Sequence, residues 1–93
     1  MAHTLEELVE LQRAVIAAHN RVTELRAAFG PPTGEPWTEA QTAAHETAWR
    51  AFRDLERDVQ DAVTRFAKDG DLDRADVKRT VQFRASTPLE GNK

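Results

Sequence analysis

Two gapless apolar seams, separated by a stretch rich in proline and glycine, leave this chain very few ways to fold. In the first seam Leu8, Leu11, Val15, Ala18, Val22, Leu25 and Phe29 recur at alternating steps of three and four. That is the period of a helix burying one stripe along its length. His45, Ala48, Phe52, Leu55, Val59, Ala62 and Phe66 repeat the pattern. Between them runs Gly30-Pro31-Pro32-Thr33-Gly34-Glu35-Pro36. Gly30 supplies a left-handed cap, and the prolines lack the amide that a continuing helix needs.

The ends are equally well marked. Thr4 with Glu7, and Thr38 with Gln41, have the spacing of capping boxes, in which each partner satisfies the other's free amide. Glu6, Glu7 and Glu10 place negative charge at the positive end of the first helix dipole, and Arg26 sits near the other end. The expectation is helix over about 5–29, loop over 30–38 and helix over about 39–69, closed by Gly70. At about 1.5 Å per residue these helices are roughly 37 and 46 Å long. A short loop between long helices predicts an antiparallel, coiled-coil-like hairpin. The register that needs less loop sets Leu25 opposite His45, Ala18 opposite Phe52 and Leu11 opposite Val59; the alternative sets Ala18 opposite Val59. Arg50–Asp54, Arg57–Asp61 and Asp61–Arg65, each four apart, read as ion pairs on the solvated face of the second helix.

Beyond Gly70 the signals weaken. Asp73 can cap a short helix over about 74–82, with Leu72 and Val77 as a staple across its start. Val81, Phe83 and Ala85 alternate with polar residues as a strand would, but no second strand is available to pair with it. Helix is therefore expected, and residues 86–93 read as a flexible tail behind a single domain spanning 1–85. The fold class is all-α: a long two-helix hairpin with a short C-terminal helix, completed to a four-helix bundle by dimerisation.

Composition narrows the chemistry. The chain has no cysteine, which removes disulfides, thiolate nucleophiles and cysteine zinc sites. Its longest apolar run, Ala14 to Ala18, is far short of the ~20 residues of a membrane span, and the start carries no secretory pattern. The expectation is a cytoplasmic protein without a membrane role. Net charge is −3, divided between an acidic body and a basic end that carries Arg74, Lys78, Arg79 and Arg84. These four form a candidate basic patch, the basis of an alternative reading as a nucleic-acid-binding regulator.

Catalytic constellations are sparse. His3, His19 and His45 include no i, i+4 pair, and no His-Glu-x-x-His arrangement occurs. No metal site and no cofactor is expected. Ser86 is the only serine, and the Gly30–Gly34 loop lacks the Lys-Ser/Thr of a phosphate cradle.

Two resemblances to known families follow from short motifs. Asp54-Leu-Glu-Arg57-Asp58, with Arg13 on the first helix, is similar to the Asp-x-x-Arg-Glu stretch of small all-helical chorismate mutases. That likeness implies a dimeric enzyme holding a dianion with arginines and a lysine. The chain departs from the family in having no lysine before Lys68 and no basic residue over 27–49. The outline, with Trp37 at the turn between two helices, also looks like the small exported hairpins of the Trp-x-Gly family. Here the motif reads Trp37-Thr38-Glu39, without the glycine, and the chain has no tyrosine. Trp37 is more simply a plug packing near Phe29.

What remains is surface. Leu5, Val9 and Ile16 beside the first seam, and Trp49 and Val63 beside the second, widen the apolar face beyond what one partner helix covers. These five residues are the candidate interaction surface. The expected function is a non-catalytic protein–protein interaction or assembly module, homodimeric, with the regulator and the small enzyme as alternatives.

Overall fold

In the computed structural model, which describes residues 3–31 and 34–86, the chain is all-helical, with three helices and no strand among those residues. They are α1 (Leu5–Phe29), α2 (Glu39–Asp69) and α3 (Arg74–Ser86). Both capping boxes form: the Thr4 hydroxyl accepts from the Glu7 amide at 3.1 Å, and the Thr38 hydroxyl from the Gln41 amide at 3.1 Å. The reciprocal bonds, from the Thr4 and Thr38 amides to Glu7 and Gln41, are 2.9 Å each. Gly30 ends α1 at φ 81°, ψ 173°, a combination that only glycine adopts without strain.

α2 ends at Asp69 with Gly70 as its cap, as expected, but the turn beyond it is not made by the glycine. Gly70 follows the helix but lies at φ −94°, ψ 0°, which any residue can adopt. The left-handed residue is Asp71, at φ 56°. Its turn lets the Leu72 amide donate to the Ala67 carbonyl at 2.7 Å and the Asp71 amide to Lys68 at 3.2 Å, satisfying carbonyls the helix would leave open.

α3 is four residues longer than the spacing suggested and takes in Ser86, the first residue assigned to the tail. The remaining tail, residues 87–93, lies outside the described residues. Val77, Val81 and Ala85 stand four apart and are all buried, one helical face that overrides the weak alternation.

The packed interior is concentrated at one end. Leu8 and Val15 of α1, Val59, Ala62, Val63 and Ala67 of α2, and Val77 and Val81 of α3 form one cluster. Toward the loop only Val22 and Leu25 are buried, and α2 buries no residue before Val59. α1 and α2 meet with His19 against Phe52, ring centres 5.2 Å apart. Leu25 and Ala48 line one hollow, and Leu11 and Ala62 another. Trp37 closes the loop end: its ring meets Phe29 edge-on at 5.4 Å, and its indole N–H donates to the Gly30 carbonyl at 2.9 Å.

The three ion pairs expected on α2 do not form. Among the described residues the ion pairs within 4.0 Å are His3–Glu7, Arg13–Glu10, Arg21–Glu24 and Arg79–Asp76. In Arg50–Asp54 and Arg57–Asp61 the base precedes the acid, the less favourable order along a helix. Aspartate is also too short to reach far across a turn.

Candidate interaction surface

The five flank residues do not share one surface. Val9 and Val63 are 3% and 1% exposed. Val63 packs in the cluster with Val77 and Val81 of α3, and Leu5 lies against that cluster. Leu5 of the α1 flank shares a hollow with Asp76, Val77 and Thr80, so the chain's own third helix meets it. Ile16, near the end of that flank, is half-buried. Trp49 lies beyond it, 41% exposed, and stacks obliquely on Phe52 at 5.4 Å. The signal that could have separated these roles was the spacing of Val77, Val81 and Ala85, a stripe that needs the apolar flank beside it.

The basic patch is divided as well. Arg74 reaches back to α2, where its Nε donates to the Thr64 hydroxyl at 2.8 Å and its Nη2 to Gln60 Oε1 at 2.6 Å. Arg79 pairs with Asp76 at 2.9 Å, and Lys78 is half-buried. Arg84 is exposed, and its carbonyl accepts from Arg13 Nη2 at 3.5 Å.

Arg13, Arg57 and Asp54 are not brought together. Arg57 and Asp54 line a hollow on α2 with Glu46, Trp49, Arg50 and Arg53, and Arg13 is not part of it. Arg13 is held by Glu10 at 2.6 Å. The described residues bury no polar or charged side chain as a whole. Among the described residues one buried side-chain polar atom lacks a partner: His45 Nε2, on a ring that meets Trp37 at 5.1 Å. No group of three or more His, Asp or Glu among the described residues is placed to hold a metal ion, and no described helix is long and apolar enough to cross a membrane.

A different surface emerges that the sequence pattern did not single out. Three shallow hollows, of about 450, 370 and 440 Å³, lie along α1 and α2, and no α3 residue lines any of them. The first two share His3 and Leu11 at the end where α1 begins. The third lies toward the loop, between Arg21 and Leu25 of α1 and Ala43, Ala44, Thr47, Ala48 and Ala51 of α2. Its walls are short side chains, so an approaching helix could come close.

No protein-family model, curated protein or solved structure matches this chain.

Proposed function

We propose that this chain is a non-catalytic protein–protein interaction or assembly module, built on an antiparallel α1/α2 hairpin and acting as a homodimer. The observation that carries the reading is α2 itself. From Glu39 to Asp58 it buries no residue, although Trp49, Phe52 and Leu55 recur there at core spacing. Helical stability in proteins comes mainly from packing an apolar face, so a stretch this long with so little covered is built for a further surface. The hairpin geometry is supported by His19 against Phe52 and by the shared hollow of Leu25 and Ala48. Both fit the register in which Ala18 stands opposite Phe52.

The test places a photo-crosslinking residue at Ala51, in the open hollow, and another at exposed Ala75 of α3, in the cell the chain comes from. The reading expects a discrete crosslinked product from position 51 and none from 75. No product from 51, in a folded and expressed chain, would refute it.

A further inference from the structure

The open α1/α2 face is apolar along its floor and unevenly charged along its rim. At the end where α1 begins, Glu6, Glu7, Glu10, Asp58 and Asp61 line the hollows against one arginine, Arg65. Toward the loop the single charged lining residue is Arg21. We propose that this face takes a second copy of the chain, antiparallel across it, so that the acidic end of each copy lies over the loop end of the other. The inference rests on the interaction-module reading and names the face and orientation of its homodimer.

Three arguments favour that occupant and orientation. Two copies laid with like ends together would stack acid on acid, whereas reversing one sets Arg21 over acidic side chains. The charges of α2 also invert about a point between Leu55 and Glu56: Glu46 mirrors Arg65, Arg50 mirrors Asp61, Arg53 mirrors Asp58, and Asp54 mirrors Arg57. A twofold axis near that point sets opposite charges at mirrored positions of the two copies, with Asp58, Asp61 and Arg65 lining the face itself. None of the eight has an ion pair within 4.0 Å among the described residues. Asp61 lines the open face, and Arg50, its mirror position, is exposed on α2; these two are the pair chosen for test. The third argument is size. Two helices about 37 Å long, side by side with axes about 10 Å apart, offer a face of roughly 700 Å². A standard stable interface takes about 800 Å² from each partner. Ala14, Ala48 and Ala51 along this face let the helices of the two copies approach closely, and α3 stays on the outside of the resulting four-helix core.

Sedimentation equilibrium of the full chain, from micromolar to high micromolar concentration, tests this directly. A dimer is expected, and Ala51→Glu raises its Kd by about tenfold or more while circular dichroism keeps its helical signal. Ala75→Glu on α3 leaves the dimer unchanged. Arg50→Asp and Asp61→Arg each weaken association, and the double variant restores it, since each copy then presents the inverted pair. Should Ala51→Glu fail to fold, this charge exchange still decides, because both positions are exposed. A folded monomer throughout the range overturns the second copy as occupant, and with it the homodimer, while leaving the interaction-module reading to the crosslinking test. A dimer indifferent to Ala51→Glu, or a double variant no better than either single one, overturns the face or the orientation.

Discussion

The residues at the end of α2 exchange the roles their types suggest, and a pair of substitutions exposes it. Gly70 sits at φ −94°, where a side chain adds no backbone strain. A Cβ there would meet Leu72 Cδ1 at 3.2 Å and Cγ at 3.3 Å. Leu72 is 52% exposed, so its side chain can move aside at little cost. Alanine also narrows the unfolded ensemble by about 0.4–1 kcal/mol relative to glycine. Gly70→Ala should therefore lie within about 0.5 kcal/mol of neutral. Asp71 holds φ 56°, which costs an L-residue about 1–2 kcal/mol, less for aspartate because its side chain can bond locally. Glycine relieves that strain but loosens the unfolded chain, leaving a gain of roughly 0.5–1 kcal/mol. Asp71 also puts a negative charge just past the negative end of the α2 dipole. Asp71→Asn, equally tolerant of the left-handed region, isolates that part at about 0.3–1 kcal/mol. Urea unfolding followed by circular dichroism reads each variant as a midpoint change at constant m. A Gly70→Ala loss above about 1 kcal/mol, with Asp71→Gly neutral or worse, would mean that glycine holds the turn and the argument is wrong.

Four further outcomes follow from single contacts. Gly30→Ala should destabilise by about 1–3 kcal/mol through backbone strain alone, since nothing lies within 4 Å of the added Cβ; thermal melting measures it, and a neutral result contradicts the φ of 81°. Trp37→Phe keeps the ring against Phe29 but loses the bond to the Gly30 carbonyl, an expected loss of about 1 kcal/mol in urea. His45→Leu removes the unpartnered Nε2 and should stabilise by about 1 kcal/mol, whereas a clear loss would show that this nitrogen has a partner. Cysteines at 18 and 52 should oxidise to an intramolecular disulfide more readily than cysteines at 18 and 59, as non-reducing gels would show; the reverse preference excludes the register that brings His19 to Phe52.

How much could be read from the chain depended on how local each signal was. The bounds of α1 and α2 follow from residues three or four apart, Thr4 with Glu7 and Thr38 with Gln41, so neighbouring positions alone fix them. α3 was harder because alternation at Val81, Phe83 and Ala85 competed with the four-residue spacing of Val77, Val81 and Ala85. Burial against α1 and α2 decided between them. Val63 looked available to a partner for the same reason: that it packs with Val77 and Val81 of α3 depends on where a separate helix docks. The α2 ion pairs were read from spacing alone, which does not carry side-chain reach. Asp71 took the left-handed position beside a glycine, and no rule based on residue type would choose it. The open face had a partial signal, the recurring alanines of the second helix, but only the course of α3 reveals that they stay uncovered.

The confinement of buried side chains to one end of α2 sets a gradient in how the molecule breathes. Amides from Val59 to Ala67 sit beneath three helices' worth of packing and should exchange with deuterium only through global opening. Those from Glu39 to Asp58 are held by one neighbour and should open in a smaller, cheaper fluctuation, led by the turns around Thr47 and Arg50. A single α-helix would then report two opening free energies along its length. Pairing with a second copy would raise the lower of them while leaving the higher nearly fixed, making the exchange profile of α2 a ruler for association.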